Sequence, residues 1–204
     1  MANRSLTNFE QIILGLLVER PRSGYELKMY FAHTPARVYQ PSSGTLYPGL
    51  RRLEAHGLLT SEPESSAGRR SRRMYRATPA GEQAHEAWLR EPVNPATIAP
   101  DLGLHLMRFV MAEKVLPRED VLRFLTDLAD ALDQFIEGIE RFVKTAGLES
   151  RHGLLALQHG IDVHRASLTW ARGAIAALTE PDSPASPDGH AGSTPARPPS
   201  SPDP

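Results

Sequence analysis

The chain has 204 residues, of which 40% are hydrophobic, with 18 prolines unevenly placed and a formal net charge of −1. That length allows one or two small domains with a core, while the lack of cysteine excludes a disulfide framework and a thiolate metal site. No stretch approaches a membrane span, and Met1–Ser5 carries no signal-peptide pattern, so a cytoplasmic location is expected.

The charge is divided along the chain. Residues 1–80 hold 12 Lys and Arg against 6 Asp and Glu, whereas residues 81–178 hold 10 against 14 and residues 179–204 hold 1 against 4. A basic first part joined to an acidic remainder points to a polyanion partner for the first part only.

Thr7 or Asn8 caps a first helix carrying Phe9, Ile12, Ile13, Leu16 and Leu17 on one side. Glu10 completes a capping box with Thr7, and Pro21 ends the helix. Ser23 caps a second helix bearing Tyr25, Leu27, Met29 and Phe31, with Glu26 at the matching offset. His33-Thr34-Pro35 breaks it, and Val38-Tyr39-Gln40-Pro41 leads to a third helix over Ser43–His56. Leu46, Leu50 and Leu53 form the inner stripe of that helix. Ser42, Ser43, Thr45, Tyr47, Arg51 and Arg52 are left to project elsewhere, and Gly57 suits the left-handed residue that closes it. Hydroxyls, a phenol and two guanidiniums on one short helix suit phosphates and base edges.

Leu58–Glu64 reads as a strand, Ser65–Gly68 as a turn, Arg69–Arg73 as a basic run and Met74–Thr78 as a second strand. Pro79 opens a helix through Trp88, and Glu91–Pro95, extended by Ala99-Pro100, is a break. Leu102–Lys114 is then helical, and Pro117 starts a helix reaching Thr145 with a stripe from Val121 to Val143. After Gly147 a last helix repeats Leu154, Leu157, Ile161, His164, Leu168, Ala171, Ile175 and Leu178 as a seam. The small module over the first 80 or so residues cannot cover both stripes, so coiled-coil-like pairing is expected within the chain and with a second copy. Residues 180–204, rich in Pro and Ser, lack the apolar groups to offset the entropy of ordering and are expected to be a disordered tail.

Helix, hairpin and basic hairpin tip in this order make a winged helix-turn-helix. Ser42-Ser43-Gly44-Thr45-Leu46-Tyr47-Pro48, Leu53-Glu54-Ala55-His56-Gly57-Leu58 and Arg73-Met74-Tyr75-Arg76-Ala77-Thr78-Pro79-Ala80-Gly81 resemble the PadR-like transcriptional regulators in order and spacing. Less specific likenesses, Leu106–Phe109 and Leu168–Ala171, extend the resemblance over roughly residues 6–178.

The expected fold is mainly α with a small β-hairpin: a winged helix-turn-helix DNA-binding domain over 1–90, a helical dimerisation domain over 101–179, and the tail over 180–204. The resemblance implies a homodimeric repressor of a palindromic operator on double-stranded DNA, with a small-molecule effector as a candidate releasing agent. The alternative is a winged-helix module that binds protein. DNA contacts are expected from Tyr39, Gln40, Ser42, Ser43, Thr45, Tyr47, Arg51, Arg52, Arg69, Arg70, Arg72 and Arg73.

Blander readings stand beside these. The arginine run could be a solvated loop, Arg73 could lie inside the strand, and Tyr47 could be a half-buried core aromatic. Ser43 and Thr45 could cap the helix, bind phosphate or do both. Trp88 and Trp170 are effector candidates because the resemblance implies binding of planar aromatics, against ordinary packing between helices. Leu154, Leu157, Ile161, His164, Leu168 and Ile175 are assigned to the dimer interface, His164 as a polar residue setting register. The eight histidines show no HExxH motif, and no phosphate loop, nucleophile elbow or paired carboxylates are found, so no metal, cofactor or enzymatic activity is expected.

Overall fold

The structure, a computed structural model, describes residues 6–34, 43–64 and 72–180. Among the described residues seven α-helices follow the expected order, and the expected hairpin is part of a three-stranded antiparallel sheet. Helix α1 (Asn8–Glu19) starts at the capping box: the Glu10 amide donates to Thr7 Oγ1 at 3.3 Å and the Thr7 amide to Glu10 Oε2 at 2.9 Å. Every residue from Glu10 to Leu17 is buried, so α1 is the central rod around which the first module is packed. Helix α2 (Gly24–His33) repeats the device with Ser23 and Glu26.

Helix α3 (Ser43–Ala55) buries Leu46, Leu50 and Leu53 to 1% exposure or less. It stops at Gly57, whose φ of 72° is costly for any residue with a Cβ. The Leu58 amide then reaches back to the Leu53 carbonyl at 2.9 Å and the Gly57 amide to the Glu54 carbonyl at 2.9 Å, closing the helix end. The chain turns directly into β2 (Leu59–Glu64), which pairs with β3 (Arg72–Ala77) from Leu59 opposite Ala77 to Glu64 opposite Arg72. The second wing strand therefore begins at Arg72, two residues before the sequence pattern starts it, and Arg73 lies inside it.

A two-residue strand β1 (Arg22–Ser23) pairs with the other edge of β3, Arg22 opposite Tyr75 and Ser23 opposite Met74, giving the sheet order β1-β3-β2. Two residues are too short for periodicity to register, and β1 was not expected. It ties the start of α2 to the wing.

Thr78 caps α4 (Pro79–Leu89), its hydroxyl accepting the Gly81 amide at 3.1 Å. A 3-10 turn over Pro95–Thr97 leads to α5 (Ile98–Ala112), which begins earlier than Leu102 but is broken at Asp101 (φ −150°, ψ 49°). The Leu104 amide donates to Asp101 Oδ1 at 3.1 Å, so Asp101 caps the continuous part of α5. Helices α6 (Arg118–Thr145) and α7 (Arg151–Thr179) form a long hairpin. Ile161, Leu168 and Ala171 of the α7 seam are buried within the protomer, and Leu154, Leu157, His164, Ile175 and Leu178 are half-buried. The seam is thus spent largely on α6. One continuous apolar core joins the winged module to the α6–α7 hairpin.

Candidate nucleic-acid interface

The inward leucines of α3 fix what faces out. Thr45, Tyr47, Arg51 and Arg52 are all exposed, Tyr47 by 44%. Tyr47 is neither buried nor loose. Its ring lies so close to the backbone at Gly24 that a Cβ there would sit 2.8 Å from Cε1. Only glycine at the start of α2 allows this approach, and it braces the phenol between two helices.

Arg51 and Arg52 are adjacent but differently employed. Arg52 Nε donates to Glu10 Oε1 at 2.6 Å, across 42 residues of sequence, and so is tied to α1. Burial raises the Glu10 carboxyl, but the Thr7 amide and Arg52 outweigh it and hold the pKa below the ordinary value. Arg51 forms no ion pair among the described residues. With Arg73 it acts instead on Tyr75, whose phenol is pushed above its usual pKa by burial while the two guanidiniums pull it down. The α3 cation and the wing cation are therefore both felt electrostatically at one phenol. Glu54, also in reach of Tyr75, accepts the Ser61 hydroxyl at 2.5 Å and joins α3 to β2.

Arg72 and Arg73 are exposed on β3, and so is Arg76, which sequence reading did not select. Its signal was the strand alternation, since Tyr75 and Ala77 point inward. Tyr25 was assigned to the apolar stripe of α2 but is 56% exposed. The Arg72 guanidinium lies over its ring, 5.8 Å from the centroid. Tyr39, Gln40, Ser42, Arg69, Arg70 and the tail from residue 181 lie outside the described residues, as does the Ser43 side chain.

The two tryptophans meet different residues of α5. Trp88 is buried under Arg108, and Trp170 is 38% exposed with its ring edge-on to Phe109, centroids 5.3 Å apart. Two ligand-sized grooves flank α5. One, of about 460 Å³, is lined by Phe109, Val110, Leu116, Val121 and Leu178 among others. The other, of about 440 Å³, lies against Gly15, Tyr30, His85, Met107 and Met111. His85 and His105 are buried, and desolvation depresses each pKa to about 4, aided at His105 by Arg108. His164 Nδ1 lies 2.6 Å from the Gly160 carbonyl, and its ring packs on Phe135 of the same chain. Among the described residues no group of His, Asp and Glu could hold a metal ion, and no helix is long and apolar enough to cross a membrane.

The module just described, from α1 through the wing into α4, coincides with a family match. Residues 13–87 match the transcriptional regulator PadR-like family. Over this stretch the chain is similar to that family. The chain is 63% identical over 46 residues to Transcriptional regulator Rv3488 of Mycobacterium tuberculosis, covering 22% of this chain and 42% of the relative. It is 29% identical over 94 residues to the Negative transcriptional regulator PadR of Bacillus subtilis, covering 45% of this chain and 51% of the relative. The matches thus span about half or less of these relatives. The crystal structure of Bacillus subtilis PadR in complex with operator DNA aligns at a TM-score of 0.42 and 21% identity, over 84% of this chain and 99% of that one. That of the same protein in complex with p-coumaric acid aligns at 0.39 and 22%, over 85% and 100%. The PadR-like family and these relatives are transcriptional regulators, not enzymes.

Proposed function

We propose that this PadR-like chain is a homodimeric, sequence-specific DNA-binding regulator acting in the cytoplasm as a repressor. The carrying observation is the outward face of α3, with Tyr47 exposed by 44% and Arg51 exposed, together with the exposed Arg72 and Arg73 of the wing strand. In this reading α3 enters a major groove, and the wing arginines, including Arg69 and Arg70, meet the flanking backbone. Arg51 reads or positions, Arg52 chiefly stiffens α3 against α1, and Thr45 adds a hydroxyl. Tyr39, Gln40, Ser42 and Ser43 are further proposed DNA contacts.

The proposal divides the chain into a DNA-binding domain over 1–90, a dimerisation domain over 101–179 and a tail over 180–204. A second copy meets α7 on the surface its own α6 leaves open, where Leu155, Val163 and Trp170 are exposed by 61%, 42% and 38%. Two-fold symmetry then calls for a palindromic operator. A small apolar effector would fit a groove beside α5, whose residues Arg108 and Phe109 also meet Trp88 and Trp170, and filling it would alter the seating of the α6–α7 hairpin on the winged module. The p-coumaric acid bound by Bacillus subtilis PadR makes that class a reasonable first probe.

A gel shift on DNA from upstream of its own gene, repeated over a salt series, tests the reading. A shift whose affinity falls steeply with salt is expected. Absence of any shift at low salt would return the winged module to a protein-binding role.

A further inference from the structure

We infer that Tyr25 is a positioning residue for the wing: its exposed ring seats the Arg72 guanidinium so that the cation is presented to nucleic-acid phosphate. The inference rests on the DNA-binding reading above and adds a residue to it.

The sheet register leads to the pair. Strand β1 runs antiparallel to β3 with Arg22 opposite Tyr75 and Ser23 opposite Met74. Two residues further along each way, the same register sets Tyr25 across from Arg72. The ladder itself ends at Ser23, because α2 begins at Gly24. A two-residue ladder is a weak hold on a hairpin. The contact that extends it is the Arg72 guanidinium over the Tyr25 ring at 5.8 Å. Next to it, Tyr47 lies against the Gly24 backbone, so α2, α3 and β3 meet at this point.

The chemistry suits an arginine that has a second task. Tyr25 is 56% exposed at the first turn of a capped helix and buries nothing in the core. A guanidinium held on an aromatic face uses none of its N–H donors, which stay available in the guanidinium plane for bidentate contact with phosphate. A carboxylate in the same place would hold the arginine by occupying those donors, as Glu10 does with Arg52. The stacked form loses side-chain freedom before binding and keeps the charge on offer.

The test uses the full chain and a random-sequence duplex over a salt series. Tyr25→Ala and Tyr25→Leu are expected to weaken binding by about two- to fivefold, Tyr25→Phe to bind as wild type, and Tyr25→Ala to add nothing in an Arg72→Ala background. Without DNA, the Arg72 Nε–H resonance should carry an upfield ring-current shift that the Ala and Leu variants lose and the Phe variant keeps. Unchanged thermal unfolding of the exposed-site variants separates this from misfolding. Wild-type affinity in Tyr25→Ala, an equal loss in the Arg72→Ala background, or failure of Phe to rescue would overturn the inference while leaving DNA binding intact. A wild-type chain that binds no duplex at low salt would instead overturn the reading beneath it.

Discussion

The guanidinium of Arg108 lies over the Trp88 ring, 5.6 Å from its centroid, and donates to the Trp88 carbonyl at 3.2 Å. The same group also donates to the carbonyls of Leu89, at 3.2 Å, and Glu91, and lies over the Phe124 ring, 4.9 Å from its centroid. Arg108 is 5% exposed and makes no direct ion pair among the described residues, although the Glu91 and Asp127 carboxylates act on it through space. Its charge is accommodated by the carbonyl-bearing end of α4, the negative end of that helix. One side chain therefore joins the last helix of the winged module to α5 and α6.

Removing this group should be expensive. Arg108→Ala takes a donor from three carbonyls, of which, among the described residues, only that of Trp88 keeps another in the Glu91 amide, and leaves a hole beside two rings, a loss of about 3 kcal/mol or more. Urea unfolding of the variant against wild type measures it. A loss under about 1 kcal/mol, the level of an ordinary exposed pair, would mean the guanidinium is not holding the junction.

Acid should loosen the same region. His85 and His105 keep pKa values of about 4 when folded, against 6.5 for the free side chain. The unfolded chain therefore binds protons first as pH falls. Stability is full above about pH 6.5 and declines toward pH 4, by up to about 1.4 kcal/mol per pH unit for each histidine. The lowered carboxyls of Glu10 and Glu26 contribute only below their ordinary value of 4.5. Thermal melts from pH 7 to pH 5 should show the decline, and His85→Gln with His105→Gln should flatten it. An equally steep decline in the double variant would assign it to other groups.

The recognition face predicts a split between operator and random DNA. Arg51→Ala, or Tyr47→Phe, should cost about 1–3 kcal/mol on the operator if the group meets a base edge, and less on random sequence. Equal losses on both would make the residue a backbone contact. Arg52→Ala should show its effect first in folding stability, because its partner is Glu10 and not a nucleic acid.

The two faces of α7 can be separated. Ile161→Ala opens a cavity beneath α6 and should lower stability by about 2–4 kcal/mol. Leu155→Glu with Val163→Glu alters only exposed positions, so the chain should stay folded and sediment as a monomer. A dimer that survives the double change lies elsewhere.

Much of this architecture was legible because it is written locally. Thr7 with Glu10 and Ser23 with Glu26 announce helix starts within four residues, Gly57 announces a helix end, and the stripes of α6 and α7 have the right period. The unreadable parts depend on partners distant in sequence. Strand β1 exists only because β3 lies beside it, and Arg52 looked like its neighbour Arg51 until Glu10 claimed it. Tyr25 looked apolar by periodicity, but the core behind α2 is already filled by Leu27 and Phe31, both 0% exposed. In α5, Pro100 suggested a later start than the helix takes, and the kink at Asp101 reconciles the two. Of the site, α3 was visible in outline, while the Tyr47–Gly24 approach and the seating of Arg72 over Tyr25 required the fold.

The α6–α7 hairpin is gripped at one end. The buried side chains of α6 run from Val121 to Ile136, and past Ile136 none is fully buried. A helix of 28 residues is about 42 Å long. Pivoted near its start, it is a lever: a tilt of about five degrees at the crossing with α5 swings the far tip by about 3.5 Å. Angular precision in this tail is therefore set within a few turns around Val121 and Phe124, and a displacement of one methyl group there is magnified severalfold at Gly147.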